Sequence, residues 1–276
     1  MACKIAYSSG AYARVPLPIA VRRIARLDFD GVEIPADDPH LFPEAGLRDH
    51  GALARALDGA GLVVSNVNAS AAQCLAGPSL GDPGAGPTLV DTDPRRRALR
   101  VAHILETVVQ TALLGGGVMS LGPGPRLPGV SDRVAGRLLR ASLEPVAVLA
   151  EAKRVRVGVE IVTGSSVGDA ASLRRLLADL RSPWLGASLD LGSGVVCGDD
   201  PARTIEAVGD RLWNCHIGDV DVCPRSHRGD DHLRRLRRAL DAIDYRRFLT
   251  LVPSRCNGRP DAVGRKWLKV LRRIFG

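Results

Sequence analysis

Three ionisable side chains interrupt or end apolar runs, a placement that enzymes use for metal ligands and proton-transfer groups. Glu160 lies within VGVEIV, Asp190 ends LGASLD, and His216 directly follows LWNC. A carboxylate inside an apolar segment is costly to bury without a partner. Two carboxylates and an imidazole suit Mn²⁺, Mg²⁺, Co²⁺ or Zn²⁺, and they also suit acid and base catalysis. We therefore predict Glu160 and His216 as catalytic residues, and Glu160, Asp190 and His216 as metal ligands.

Further polar residues lie at or just beyond the ends of other apolar runs, and we predict that they contact a substrate. They are Glu33, Asn66, Asn68, Asp219 and Arg255. For Glu33 a second interpretation is a salt bridge to an arginine of the scaffold. Of the other histidines, His40 is expected at the surface and His103, within VAHILETVV, in the core or on a helix face.

Eight apolar, strand-like segments alternate with longer segments of helical periodicity. The strand-like segments cover 4–8, 30–34, 62–69, 117–122, 155–162, 185–192, 212–219 and 248–253. Apolar strands that alternate with helices indicate a parallel sheet. Eight such units in 276 residues are typical of a single (β/α)8 TIM barrel. An open doubly wound sheet is the alternative, but its dinucleotide fingerprint is missing. In a barrel the strand ends converge on one mouth, which would bring the polar residues together.

One domain is expected over residues 1–276, with a long loop from residue 74 to residue 93 after the third strand. This loop, CLAGPSLGDPGAGPTLVDTD, is rich in glycine and proline. Loops of this length are usually functional or disordered. Two interpretations stay open, a lid over the mouth and a flexible insertion.

Composition argues against several classes of protein. The chain has no run of 18 apolar residues, which predicts no membrane span, and its first residues lack the apolar centre of a signal peptide. Six cysteines without C-x-x-C spacing favour reduced thiols in a cytoplasmic protein. The net charge is +8, but the C-terminal arginines alternate with leucines at helical spacing and aromatic residues make up only 4%. Specific nucleic-acid binding is therefore not expected.

The whole chain resembles the sugar phosphate isomerase/epimerase superfamily, the xylose-isomerase-like barrels that include ketose 3-epimerases and 3-dehydroshikimate dehydratases. The resemblance is carried by RLDFDGVEIPADDPHLFP, LRDHGALARALDGAGLVVSNVNA, SPWLGASLDLGSGVVCGDDPARTIEAVGDRLWNCHIGDVD and LRRALDAIDYRRFLTLVP. Each segment is similar to a family segment in order and spacing.

The resemblance implies one divalent metal held by four strand-end residues, three of which fall on the predicted ligands named above. The fourth, a glutamate, falls on Val252. A histidine that often follows the strand-6 aspartate falls on Ser193, and the family's loop after strand 7 is represented here only by PRSHRGDD. Ser193, His227 and Arg228 are therefore predicted to contact the substrate.

In the epimerases of this superfamily, the strand-5 and strand-8 glutamates exchange protons on opposite faces of the substrate. Val252 can neither bind a metal nor carry a proton, so two-base epimerisation through this pair is not expected. Three alternatives stay open. A three-ligand metal site could assist a reaction. Glu160 and His216 could act without metal, together with Asp219 or His227. The protein could also bind a ligand without catalysis.

The sequence as a whole predicts an isomerase- or lyase-type enzyme, with a dehydratase as one form of the latter. Its expected partner is a small polyhydroxylated or keto substrate, such as a sugar or cyclitol, bound in the barrel mouth. A homodimer is an alternative to a monomer.

Overall fold

The structure, a computed structural model, describes residues 3–41, 50–70, 73–75, 86–191, 200–218, 227–253, 256 and 258–276. Within these ranges eight parallel strands form a closed barrel in chain order, and β8 pairs with β1. The strands are β1 Lys4–Ser8, β2 Gly31–Pro35, β3 Val63–Ala69, β4 Val118–Leu121, β5 Arg156–Glu160, β6 Leu185–Asp190, β7 Leu212–Ile217 and β8 Phe248–Leu251. The predicted (β/α)8 barrel is confirmed.

One helix follows each strand. The helices are α1 Leu17–Ala25, α2 His50–Ala60, α3 Pro94–Leu113, α4 Asp132–Lys153, α5 Ala170–Leu180, α6 Pro201–Val208, α7 His227–Ala242 and α8 Pro260–Phe275. Local sequence fixes where several of them begin. Ser131 accepts a hydrogen bond from the Val134 backbone N–H, and Asp169 forms a reciprocal capping box with Ser172. Such caps satisfy N–H groups that have no partner within the helix.

Strand alternation divides the side chains between the barrel lumen and the surrounding helices. In β5, Val157 and Val159 are fully buried, while Gly158 and Glu160 belong to the other face of the strand. Successive side chains of a strand point to opposite faces. Glu160 therefore points into the lumen, because Val157 and Val159 occupy the face of β5 that packs under the helices.

The lumen below the mouth is polar, although branched apolar residues dominate most TIM barrels. Its buried members come from seven strands: Ser8, Glu33, Asn66, Ser120, Ser188, Asn214 and Thr250. The strand register indicates that these side chains lie at one level of the barrel. Ser8 pairs with Glu33, and Ser120 pairs with Gly158, across neighbouring strands. This layer supports the residues at the mouth from below.

The second half of the loop at 74–93 is packed into the fold. Leu89 and Val90 are fully buried, and the Ser142 hydroxyl of α4 donates to the Leu89 carbonyl oxygen at 2.9 Å. Residues 76–85 lie outside the described residues. The lid remains a prediction, and it now concerns only the part of the loop before residue 86.

Two expectations about histidines have different outcomes. His103 is fully buried on α3, as predicted. The prediction that His40 lies at the surface is wrong, because its side chain is buried and its ring contacts Ser9 Oγ and the carbonyl oxygens of Tyr12 and Val15. The turn after β2 folds inward over the end of β1.

Among the described helices, none is both long and apolar enough to cross a membrane.

Candidate active site

A buried carboxylate and imidazole form the centre of the barrel mouth. Glu33 Oε2 lies 2.5 Å from Nε2 of His216, and both side chains are almost completely buried. Glu33 comes from β2 and His216 from β7, so the contact crosses the lumen. A carboxylate at one ring nitrogen fixes the orientation of an imidazole and leaves the other nitrogen available for chemistry.

The charge of Glu33 controls the protonation of His216. Burial alone would lower the pKa of His216, but the Glu33 carboxylate raises it, with further contributions from Glu160 and Asp190, to about 9. Burial would raise the pKa of Glu33, yet the neighbouring imidazolium lowers it below its ordinary value. The two groups therefore form an ion pair near neutral pH.

Asn66 holds the carboxylate of this ion pair in place, and Asn214 lies beside the imidazole. The Asn66 amide donates to Glu33 Oε2 at 2.8 Å and to Ser120 Oγ at 2.9 Å. The Asn214 amide donates to Ser188 Oγ at 3.2 Å and lies 2.9 Å from His216 Nε2. Hydrogen bonds from neighbours with fixed positions reduce the freedom of a buried pair.

Glu160 approaches the opposite ring nitrogen of His216. Its Oε1 lies 3.8 Å from Nδ1. Burial raises the pKa of Glu160, the charge of His216 opposes that effect, and the charges of Glu33 and Asp190 raise the pKa further. A carboxyl group with a raised pKa in a largely enclosed site is a typical acid and base catalyst.

The third predicted metal ligand, Asp190, ends β6 directly opposite His216 in the register. Its side chain is more exposed than the other two, and its charge influences both of them. Val252 follows β8, where its N–H donates to the Ile217 carbonyl oxygen at 2.9 Å, and its side chain offers no ligand atom.

The fit of a divalent metal to these residues is incomplete. Two ligand atoms about 2.0–2.2 Å from one ion lie roughly 3–4 Å apart, and the Glu160–His216 separation of 3.8 Å falls in that range. Across the described part of the chain, however, no three His, Cys, Asp or Glu side chains are grouped closely enough to hold a metal ion. The set of Glu160, Asp190 and His216 is therefore not assembled into a metal site in the described part of the chain.

The remaining predicted substrate contacts have different positions. Glu33 and Asn66 are fully buried beneath the mouth and position His216. Asn68 lies at the end of β3, where its Oδ1 accepts from the Ser70 N–H at 2.8 Å. Other predicted contacts, namely Ser193, Asp219 and Arg255, lie outside the described residues, as do the side chains of His227 and Arg228. Direct contact with a substrate remains a prediction for all of them.

Sequence reasoning missed several residues that shape the site. Ser120, Ser188, Asn214 and Thr250 are buried polar residues within short apolar strands. In LGASLD and LWNCHI the available signal was alternation with Asp190 and His216, whereas VMSL and FLTL contain a single polar residue and gave no such signal. Arg100 of α3 was also missed. Its buried guanidinium donates to the carbonyl oxygens of Ala69 and Ser70, which fixes the end of β3 beside the mouth.

Solved structures with this architecture include several sugar epimerases. D-psicose 3-epimerase, determined in the presence of D-fructose, superimposes with a TM-score of 0.81 and 15% identity, covering 99% of each chain. The 3-keto-D-glucoside 4-epimerase from E. coli gives a TM-score of 0.79 at 19% identity, covering 98% of this chain and 99% of that one. D-allulose 3-epimerase from Methylomonas sp., in complex with D-allulose, gives 0.79 at 17% identity, covering 99% and 98%.

At sequence identities this low, the structural similarity establishes only that these chains share a fold. No curated protein matches the sequence. The family described as xylose isomerase-like TIM barrel matches residues 21–273, which is nearly the whole chain. This match agrees with the closed barrel and with the superfamily resemblance of the sequence. The chain belongs to the xylose isomerase-like TIM barrel family.

Proposed function

We propose that this protein is an isomerase that moves a proton within a small keto or polyhydroxylated substrate, such as a ketose, at the barrel mouth. The observation that carries the proposal is the buried group of Glu33, His216 and Glu160, with carboxylates at both ring nitrogens of one imidazole. The neighbouring sugar epimerases support the substrate class, since they have the same architecture.

The geometry suggests a role for each residue. Glu160, as a carboxylate, would remove a proton from the carbon next to the substrate carbonyl, and His216 would stabilise the developing negative oxygen through Nδ1–H. His216 would protonate this oxygen from Nδ1. As Glu160 returns its proton to the former carbonyl carbon, Nδ1 would take the hydroxyl proton of the neighbouring carbon, which becomes the new carbonyl. Glu33 would hold Nε2–H and favour the charged ring at the start and end of the cycle. Hydrogen-bond donors aimed at developing negative charge are a large source of catalysis.

The same geometry favours a proton transfer on one face of the substrate. Inversion of a carbon by proton transfer requires a base on one face and a proton donor on the other, and the position opposite Glu160 in the family pattern is Val252. We therefore infer an aldose–ketose type of isomerisation rather than an epimerisation. A purely ligand-binding protein is a weaker interpretation, because a buried carboxyl with a raised pKa is destabilising when charged and simple binding does not require it.

Product analysis in heavy water tests this proposal. The protein is incubated with a panel of ketoses and aldoses in D₂O, with and without added Mn²⁺, and products are identified by NMR. We expect aldose–ketose interconversion, with proton transfer confined to the two reacting carbons. Formation of the C3 epimer alone would contradict the one-face mechanism. Absence of turnover on every sugar, with sugars that still raise the melting temperature, would support the binding protein instead.

A further inference from the structure

At the end of the barrel opposite the mouth, two arginines pack on one indole ring. Cζ of Arg247 lies 4.8 Å and Cζ of Arg156 lies 5.2 Å from the centroid of the Trp213 ring. Arg156 begins β5, Trp213 is the second residue of β7, and Arg247 directly precedes β8. We call these three residues the floor cluster. All of them lie at the amino ends of their strands, away from the catalytic candidates.

The two cations of the floor cluster have no acidic partner among the described residues. Neither guanidinium forms an ion pair or donates a side-chain hydrogen bond there, whereas Arg237 contacts Asp241 at 2.7 Å and Arg140 contacts Asp179 at 3.2 Å. Both floor arginines are partly buried. Burial and the charge of Arg156 lower the pKa of Arg247. Two partly desolvated like charges are unfavourable unless an anion lies beside them.

The indole ring that holds the two guanidinium groups is enclosed and fixed in position. Trp213 is 8% exposed, and its Nε1 has no acceptor in the part of the chain that the structure describes. The ring lies directly over Gly186, where an added Cβ would come within 2.2 Å of Nε1. The indole therefore cannot shift toward β6, and its N–H is fixed in an unsatisfied position, which is unusual for a buried tryptophan.

A surface groove gives access to Arg247. It is lined by Leu212, Asp244, Tyr245, Arg246 and Arg247, among others. Asp244 contacts Arg246 in this groove, which leaves Asp210 as the other acidic residue of the lining. A third cation, Lys4, begins β1 and lies 5.7 Å from the ring of Phe248, the residue after Arg247.

We propose that the floor cluster of Arg156, Arg247 and Trp213 binds a phosphate-type oxyanion, either inorganic phosphate or the phosphate group of a monoester. Each guanidinium presents a rigid fork of N–H donors that matches phosphate oxygens. A dianion compensates both charges at once. The site is separate from the candidate active site at the mouth.

The competing explanation is cation–π packing that merely stabilises the floor of the barrel. The two explanations differ in the effect of removing one charge in phosphate-free buffer. Pure packing predicts that Arg247→Gln lowers the melting temperature. An anion site predicts little loss or a gain, because the variant relieves repulsion from Arg156.

Thermal unfolding of the full chain in phosphate, compared with chloride at equal ionic strength, tests the proposal. We expect a saturable rise in melting temperature for the wild type and loss of that rise in Arg156→Gln and Arg247→Gln. Arg137→Gln is the matched control, since it removes an arginine from the groove between α4 and α5, where five arginines gather. Titration with glycerol 2-phosphate in parallel shows whether the free ion or a monoester binds more tightly.

Equilibrium dialysis of the wild type against phosphate needs no variant and gives the stoichiometry directly. One saturable site per chain, weakened at least tenfold by Arg247→Lys, supports the proposal, because lysine keeps the charge but loses the fork. Absence of saturable binding overturns it. An equal phosphate response in Arg156→Gln and the wild type also overturns it, since the ion must then bind elsewhere.

Discussion

The two ends of this barrel contain buried or partly buried cations in opposite surroundings. At the mouth, His216 lies between Glu33 and Glu160, and its charge is compensated within the protein. At the floor, Arg156 and Arg247 share the ring of Trp213 without an acidic partner in the described structure. Compensated charge fixes a geometry in which protons can move between neighbours. Uncompensated charge leaves the capacity to bind an anion from solution.

The largest effect is expected from replacing Glu160, the proposed proton-carrying group of the mouth. Glu160→Gln keeps the size of the side chain but cannot accept a proton, so we expect isomerase activity to fall by about 10²–10⁴-fold. The control is Asp179→Asn, which alters an exposed carboxylate paired with Arg140. Initial rates with the best sugar of the panel measure the effect. Equal activity of Glu160→Gln and the wild type would remove Glu160 from the mechanism.

Breaking the ion pair at the mouth should reduce stability more than breaking a neutral contact in the same layer. Glu33→Gln leaves His216 buried without its main counter-charge, and we expect a loss of ~3 kcal/mol in the free energy of unfolding. Ser188→Ala, which removes one hydrogen bond to Asn214, should lose about 1 kcal/mol. Urea unfolding curves at pH 6 compare the two variants.

The loss in the free energy of unfolding caused by Glu33→Gln should depend on pH. The pKa of His216 is raised to about 9, so its stabilisation is fully present below its ordinary pKa of ~6.5 and is lost as the pH rises through 9. The pKa of Glu33 is lowered, so its contribution is present above ~4.3 and is lost as the pH falls. The difference between wild type and Glu33→Gln should therefore be largest near pH 6 and small at pH 10. A constant difference across this range would contradict the ion pair.

A smaller change, in melting temperature, is expected when a carboxylate is added at the mouth to complete a metal site. Val252→Glu places a carboxylate at the position where the family resemblance predicts a glutamate. Without metal it should lower the melting temperature, because like charges held close raise a carboxyl pKa. With Mn²⁺ it should be stabilised more than the wild type. Val252→Gln is the uncharged control of similar size, and an identical Mn²⁺ response in both variants would show that the added carboxylate does not bind metal.

The smallest expected effect is a pH-dependent change in stability due to His40, the second buried histidine at this end of the barrel. Burial lowers the pKa of His40, and hydrogen bonds to the Val15 and Tyr12 carbonyl oxygens oppose this only in part. Its folded form is neutral, so stability should fall by about 1 kcal/mol as the pH drops from 7 toward 5. His40→Gln should lack that decrease. NMR of the imidazole protons should show His40 neutral at pH 6 while His216 is still charged; two identical titrations would contradict the opposite shifts.

Much of the fold follows from local pattern. Each strand of the barrel was visible as an apolar run of predictable length, and no strand terminus differs from prediction by more than two residues. Glu160 and His216 could be identified because ionisable residues interrupt otherwise apolar segments. The polar lumen was harder to predict, because a serine or threonine within a strand such as FLTL does not indicate which face it occupies.

Sequence by itself determined the barrel and the family resemblance, because periodicity and residue identity are local properties of the chain. Only the tertiary structure paired Glu33 with His216, since these residues are 183 positions apart and meet across the lumen. It also buried His40 and brought Arg156 and Arg247 onto one indole. Barrel closure decided these contacts, because it fixes which strand ends face each other and thereby which charges are compensated.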